Sequence, residues 1–197
     1  KYRFIERLFT LAIRVRRGDG GTAGEAPAPQ DIAAFLATHG PRRNFFPVYA
    51  DEPLDFVSVE RNGALVGVAA LLDQRAYKQT VIDGYDPLLK LARPFYNLAA
   101  RVVHKPRLPK PGTALRTAYA SFFCLADDDP DIARELIEQL LRRAAERGLD
   151  HVLVGLTAGD PMLAVAREFH PIEYPSAIYT VAWDDKDDLH DRLDSRP

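Results

Sequence analysis

The sequence predicts an α/β or α+β fold with a mixed β-sheet. Asn62-Gly63 lies between two apolar segments, and this pair is a strong signal for the tight turn of a β-hairpin. Residues 119–156 follow a strand–helix–strand pattern, which implies a parallel pair of strands joined by a right-handed crossover. A chain of 197 residues, 47% of them hydrophobic, suffices for one compact domain with additional segments.

The region before the hairpin is predicted to be helical. In Tyr2–Val15 the apolar residues recur at spacings of three and four, so residues 1–17 are expected to form an N-terminal helix or the end of a preceding domain. Residues 18–29 are rich in Gly, Ala and Pro and are predicted to be a flexible linker. Gln30–His39 follows as a short helix. The main domain is therefore placed at residues 30–183.

The hairpin strands, Phe56–Glu60 and Ala64–Leu72, are followed by a helical segment and another strand. Pro87–His104 has apolar residues on one stripe at helical spacing, which predicts an amphipathic helix. Pro94 is expected to kink this helix or to split it. Ala114–Ala126, rich in aromatic and small residues, is the next predicted strand.

The last part of the main domain is predicted to alternate helices and strands. Asp129 suits an N-cap and Pro130 suits a first helical position, so a helix is expected over Ile132–Arg147. The remaining elements are a short strand at Val152–Leu156, a helix from Asp160 to Phe169, a closing strand at Ala177–Trp183, and an acidic tail at residues 184–197.

Charge is distributed unevenly along the chain. Residues 1–73 carry no net charge, residues 74–118 hold nine basic and two acidic residues, and residues 119–197 hold eight basic and seventeen acidic residues. The basic middle is expected to face an anionic ligand, an acidic partner or a membrane surface, or to pair with the acidic last third of the same chain. The net charge of −2 does not favour a nucleic-acid partner.

The cysteine and histidine content limits the chemistry. Cys124 is the only cysteine, which excludes an intrachain disulfide and fits a reducing compartment, so we expect a cytoplasmic location. Its apolar strand predicts an inert packing residue. The five histidines are too scattered to suggest a metal site, and none is assigned. The longest apolar run, Ala64–Leu72, has nine residues, whereas a membrane-spanning helix needs about 20.

Several segments resemble the GNAT superfamily of N-acyltransferases. Ile132–Leu156 is similar to that family's third helix and fifth strand, and the hairpin that ends in VGVAALLDQ resembles its second and third strands. The segments DQRAYKQTVIDGY and RPFYNLAARVV look like the C-terminal half of bacterial proteins built from tandem GNAT-like domains. The resemblance covers most of residues 30–183. It implies a GNAT-like fold with a helical insertion between the third and fourth strands, acyl transfer from acetyl-CoA or another acyl-CoA to an amine, and an N-terminal companion domain.

The predicted cofactor loop departs from the family pattern. GNAT enzymes hold the pyrophosphate of acyl-CoA on backbone amides of an Arg/Gln-x-x-Gly-x-Gly/Ala loop that opens the third helix. Of the aligned residues 128–133 only Ala133 matches, Pro130 lacks a donor, and four nearby aspartates repel phosphate. These departures predict that acetyl-CoA binds weakly or not at all, with a Kd above about 100 μM. The cofactor contacts implied by the resemblance are Leu125, Ala126, Ala133 and Arg134.

The sequence assigns no catalytic residue. GNAT enzymes often carry a tyrosine near the end of the fourth helix as general acid, and the aligned residue here is Arg167. A polar cluster directly after Ala64–Leu72 is the predicted substrate or ligand cleft, with Arg75 first because its planar fork binds carboxylate or phosphate bidentately. A solvent-exposed turn is the alternative for these residues. The cluster comprises Asp73, Gln74, Arg75, Tyr77, Lys78 and Gln79.

Two functions remain open from the sequence. The first is an N-acyltransferase that transfers an acyl group from acyl-CoA to an amine. The second is a catalytically silent GNAT-like domain that serves a larger protein as a structural, ligand-binding or partner-interaction module, and the degenerate loop favours it for this chain. A peripheral membrane module that uses the basic helix Lys90–His104 is a third, less favoured hypothesis. A homodimer is a further expectation for the assembly.

Overall fold

The computed structural model describes residues 2–16, 24, 27–43, 46–49, 53–103 and 107–181. These residues form two compact units. The sheet unit comprises the described parts of Lys1–Asp73 and Thr117–Pro197, and the inserted unit comprises those of Gln74–Arg116. The predicted acidic tail at residues 184–197 lies outside the described residues, as does most of the predicted linker at residues 18–29.

The sheet unit contains one six-stranded mixed sheet in the order β2-β3-β4-β5-β1-β6. β4 and β5 pair in parallel, and the other neighbouring strands of this sheet are antiparallel. The predicted mixed-sheet class, the hairpin and the parallel pair are therefore confirmed. The strands are β1 (Tyr2–Arg14), β2 (Asp55–Arg61), β3 (Ala64–Leu72), β4 (Thr117–Leu125), β5 (His151–Thr157) and β6 (Ile172–Val181).

The helices of the sheet unit cover both faces of the sheet. α3 (Pro130–Glu146) and α4 (Met162–Glu168) contribute to one core, together with alternate residues of β2 such as Val57 and Val59. α1 (Pro29–His39) contributes to the core on the other face, where Phe56 lies. This division follows from the two-residue period of a strand, which places Phe56 and Val57 on opposite faces.

The helix predicted over Tyr2–Val15 is wrong, because β1 is a strand. It pairs with β5 on one side and with β6 on the other, so it lies inside the sheet. Leu11, Ile13 and Val15 are buried in the core that contains α3, and their spacing of two is the period of a strand. The aromatic and β-branched residues of this segment also favour a strand.

The inserted unit is built around α2 (Pro87–Val102). Asp86 caps the helix, since its side chain accepts hydrogen bonds from the amides of Leu88 and Leu89 at 3.1 and 3.0 Å. The helix is continuous through Pro94 and is not split there. Among the described residues, no helix has both the length and the apolar character needed to cross a membrane.

Candidate functional site

The candidate site lies where the two parallel strands stop pairing. The β4–β5 ladder joins Thr117–Tyr119 to His151–Leu153 and then ends, although β4 continues to Leu125 and β5 to Thr157. Phe122 has a φ of 51°, and the pairing of β4 with β3 is irregular at this point, which marks a bulge. The carboxyl ends of neighbouring strands that part in this way commonly form a ligand-binding crevice in α/β proteins. We call this place the opening.

Arg43 lies in the opening and contacts both of its sides. The residue is only 7% exposed. Its Nη1 donates a hydrogen bond to the carbonyl oxygen of Phe123 on β4 at 3.0 Å. Its Nη2 lies 4.0 Å from Oδ2 of Asp160, in the loop after β5, and 3.9 Å from Oδ1 of Asp128, in the loop after β4. A single buried cation therefore links the two parted strand ends.

Asp160 is the buried counter-charge in this arrangement. Its Oδ1 accepts a hydrogen bond from the amide of Met162 at 2.8 Å, at the start of α4, and its own amide donates to the carbonyl oxygen of Thr157. The carboxylate therefore holds the β5–α4 loop while its second oxygen faces Arg43. Arg42, the exposed neighbour of Arg43, donates to the carbonyl oxygen of Ala126, just beyond β4.

The predicted cofactor loop forms an ordinary helix start. Asp129 caps α3, because its Oδ1 accepts from the amide of Asp131 at 2.8 Å and its carbonyl oxygen accepts from the amide of Ala133 at 3.1 Å. Pro130 occupies the first helical position and has no N–H to donate. The amides of Asp131 and Ala133, two of those that a bound pyrophosphate would need, therefore already donate within the chain.

Arg134 is held by two carboxylates. Its Nε and Nη2 bind the two oxygens of Glu168 at 2.8 and 3.1 Å, and its Nη1 binds Oδ1 of Asp131 at 2.5 Å. These bonds raise the pKa of Arg134 and lower the pKa of Glu168. The bidentate pair with Glu168 joins α3 to α4. Because the guanidinium of Arg134 already binds two carboxylates, it is not free to bind a phosphate.

The structure brings the four predicted cofactor residues together at the end of β4 and the start of α3. Leu125 and Ala133 are buried. The amide of Ala126 donates to the carbonyl oxygen of Val66, and its carbonyl accepts from Arg42. Since Arg134 is also engaged, these residues offer hydrogen-bonding groups that already have partners in the chain. A cofactor contact at these positions stays a prediction.

Arg167, at the position that the resemblance aligns with a general-acid tyrosine, has structural contacts. Its Nε and Nη2 bind the two oxygens of Glu173 at 2.9 and 3.0 Å. Its guanidinium also lies 5.1 Å from the centre of the Phe9 ring, within cation–π range. These contacts join α4 to β1 and to the start of β6.

Most of the predicted ligand cleft forms a turn at the start of the inserted unit. The carbonyl oxygen of Gln74 accepts hydrogen bonds from the amides of Tyr77 and Lys78 at 3.1 and 2.8 Å. Tyr77, Lys78 and Gln79 are exposed, whereas Gln74 and Arg75 are half-buried. Asp73 belongs to the sheet unit. The geometry agrees with the alternative of a turn, and ligand binding there stays a prediction.

A cavity of about 550 Å³ lies elsewhere in the sheet unit, at the end of β5 that begins with His151. Its carboxylates have partners, because Arg142 binds Glu138 at 3.1 Å and Arg134 binds Glu168. The lining residues are Ile13, Arg14, Arg16, Glu138, Leu141, Arg142, Ala145, Glu168, Phe169 and His170.

Sequence reasoning missed Arg43 and Asp160 as members of the site. Arg42-Arg43 follows α1 closely, and nothing in the local pattern indicates which of the two side chains is buried. The signal that was available is Asp160-Pro161 after an apolar strand, which predicted a helix start but not a buried charge. No set of His, Cys, Asp and Glu side chains in the described part of the chain is arranged to hold a metal ion.

Comparisons with known proteins give one similar solved structure. No protein-family profile matches the chain, and no curated protein is similar to it. Among solved structures, the chain is similar to a candidate acetyltransferase of the GNAT family from Novosphingobium aromaticivorans. The TM-score is 0.45 and the sequence identity is 12%, over 92% of this chain and 68% of that chain.

Proposed function

We propose that the sheet unit is a GNAT-like domain that does not transfer acyl groups and serves instead as a structural module that carries the inserted unit. The observation that carries this proposal is the bridge of Arg43 across the opening, from Phe123 on β4 to Asp160 after β5. An acyl chain entering the opening between these strands would have to displace a buried guanidinium. The alternative, an N-acyltransferase, requires that displacement.

Displacing Arg43 would be costly. Removing one partner of a buried ion pair leaves the other charge uncompensated, which typically costs about 3–5 kcal/mol. Here the charge left behind would be Asp160, whose side chain is fully buried. A cofactor that binds with micromolar affinity has about −8 kcal/mol available. The displacement would therefore consume a large part of the binding free energy.

The start of α3 supports the same conclusion independently. Asp128, Asp129 and Asp131 are clustered there, and a phosphate about 6 Å from one carboxylate meets a repulsion of about 2–3 kcal/mol at an effective dielectric constant of about 20. The amides of Asp131 and Ala133 are used by Asp129. The residues that would hold the pyrophosphate of acyl-CoA therefore do not fit it.

The test is a titration of the full chain with acetyl-CoA at low salt, followed by calorimetry and by amide chemical shifts in NMR. We expect a Kd above about 100 μM and no shift changes at Phe123, Ala126 or Ala133. The matched variant is Asp128→Gln with Asp131→Gly, which restores two positions of the loop pattern and removes two negative charges. We expect it to bind acetyl-CoA about tenfold more tightly than the wild type.

Micromolar binding to the wild type, with shift changes at those three amides, would overturn the proposal and favour the acyltransferase. Shift changes confined to residues 74–116 would instead indicate an anion site in the basic inserted unit and would leave the proposal standing. This distinction concerns the pyrophosphate and does not require the acetyl group, so coenzyme A serves as a second ligand.

A further inference from the structure

The outward face of α2 is apolar, although the unit that contains it is basic. Five large side chains at helical spacing lie on one stripe, and Leu91 and Phe95 in its middle are each 73% exposed. Between its first and last members the stripe extends about 21 Å along the helix axis. The stripe, which we call the apolar stripe, consists of Leu88, Leu91, Phe95, Leu98 and Val102.

The polar side of α2 is the side that the unit itself covers. Asn97 binds the main chain of Leu108 twice, with its Nδ2 donating to the carbonyl oxygen at 3.0 Å and its Oδ1 accepting from the amide at 2.7 Å. Nη1 of Arg93 and the hydroxyl of Tyr85 both donate to the carbonyl oxygen of Pro109, at 3.0 and 2.8 Å. The 107–110 segment thus fixes the rotation of the helix and leaves the apolar stripe facing solvent.

Positive charge lies along one side of the apolar stripe. Residues 74–116 hold nine Lys or Arg and two Asp or Glu, a net charge of +7. Lys90 and Arg101 are exposed and, at 100° per residue, lie between the stripe and the polar side of the helix. Long basic side chains in this position can reach the headgroup level while the apolar face enters the acyl region.

We propose that the apolar stripe of α2 docks on the surface of a membrane that contains anionic phospholipid. An amphipathic helix with basic residues beside its apolar face, held in a fixed orientation, is the element that binds in this way. The net charge of +7 favours an anionic bilayer over a second copy of the chain, because two such units would repel each other across an interface. This inference goes beyond the proposed function and does not depend on it, since it concerns the inserted unit alone.

The test is flotation of the full chain with vesicles of phosphatidylcholine alone and of phosphatidylcholine with phosphatidylglycerol. We expect binding to the anionic vesicles, little binding to the neutral ones, and release by about 0.5 M NaCl. Replacing Leu91→Glu and Phe95→Glu should lower the fraction bound at least about tenfold. Both side chains are exposed, so circular dichroism and the melting temperature should be unchanged.

The matched control is Tyr77→Glu with Thr80→Glu, which adds the same two charges at exposed positions of the inserted unit outside α2. It should retain most of the binding. If both variants lose vesicle binding equally, the stripe does not dock on the membrane, and the net charge of the unit alone accounts for the binding. Absence of wild-type flotation would overturn the membrane proposal, and a dimer in sedimentation that Phe95→Glu dissociates would then assign the stripe to a second copy.

Discussion

Arg43 Nη1 donates to the carbonyl oxygen of Phe123 at 3.0 Å, although the two residues are 80 positions apart in the sequence. The same guanidinium faces Asp160 from the other side. This contact crosses the place where β4 and β5 cease to pair, so it replaces part of the lost ladder with a side-chain bridge. Its contribution to the free energy of unfolding can be measured without any ligand.

Arg43→Met is expected to destabilise the fold by about 3 kcal/mol, because it removes the cation that faces the buried carboxylate of Asp160. The measurement is urea unfolding at pH 7. Adding Asp160→Asn removes the negative charge of the buried carboxylate. The amide side chain keeps an oxygen that can accept the hydrogen bond from the amide of Met162. The double variant should therefore be more stable than the sum of the two single changes predicts.

Arg42→Ala provides the control for this cycle. Arg42 is exposed and donates to a neighbouring carbonyl, that of Ala126, so its loss should cost no more than about 1 kcal/mol. If the Arg42 and Arg43 substitutions lower the free energy of unfolding equally, the buried contacts of Arg43 do not stabilise the fold more than an exposed hydrogen bond does. The bridge across the opening would then not be a main source of stability.

Gly67→Ala should destabilise the sheet unit by about 1–3 kcal/mol, because α3 packs directly against this position of β3. A Cβ at Gly67 would lie 2.9 Å from Cγ2 of Ile132 and 3.0 Å from Cδ1 of Leu136. Thermal unfolding measures the effect. Gly155→Ala on β5 is the control, since a Cβ there would meet nothing closer than 4.0 Å, and we expect no loss of stability from it.

Elements with strong local signals were predictable from the sequence. The Asn62-Gly63 turn has both residues at positive φ, as the dipeptide predicts, and α3 begins at Pro130 after the predicted cap. β1 was not predictable in the same way, because its apolar residues fit both a helical and a strand period. Its pairing with β5 and β6, which lie more than a hundred residues later, decides the conformation.

The candidate site could likewise be predicted from the sequence only in part. The acidic, proline-containing start of α3 is visible in the sequence, and the structure shows its amides engaged within the chain. The Arg43 bridge was not visible, since burial of one arginine in a pair depends on contacts made far along the chain. The exposure of the α2 stripe was also hidden, because an amphipathic pattern does not say which side of a helix is covered.

Cys124 should be unreactive in the folded protein. It is 2% exposed, and burial raises the pKa of its thiol to about 11, so the thiolate is scarce at neutral pH. We expect Ellman's reagent to titrate one thiol only after denaturation. A Cys introduced as Ala64→Cys, at an exposed position of β3, should react at once and calibrates the assay. Rapid reaction of native Cys124 would show that β4 opens readily.

His151 should make the stability of the fold depend on pH between about 5 and 7. Burial lowers the pKa of this imidazole, and Arg14 contributes in the same direction. The folded state therefore takes up the proton at lower pH than the unfolded state, whose histidine titrates near about 6.5. The stabilising contribution is complete above about pH 6.5 and is lost as the pH falls toward the folded pKa, with a slope of at most about 1.4 kcal/mol per pH unit.

His151→Gln tests this pH dependence, because the variant has no proton to gain at that position. Urea unfolding at several pH values should show a steeper loss of stability in the wild type than in the variant below about pH 6.5. His39, whose pKa is also lowered by burial, is present in both proteins and cancels in the difference. Glu168 and Glu173 have lowered pKa values, so their contributions are lost only at more acidic pH. Parallel curves for the two proteins between pH 5 and 7 would mean that His151 titrates alike in the folded and unfolded states.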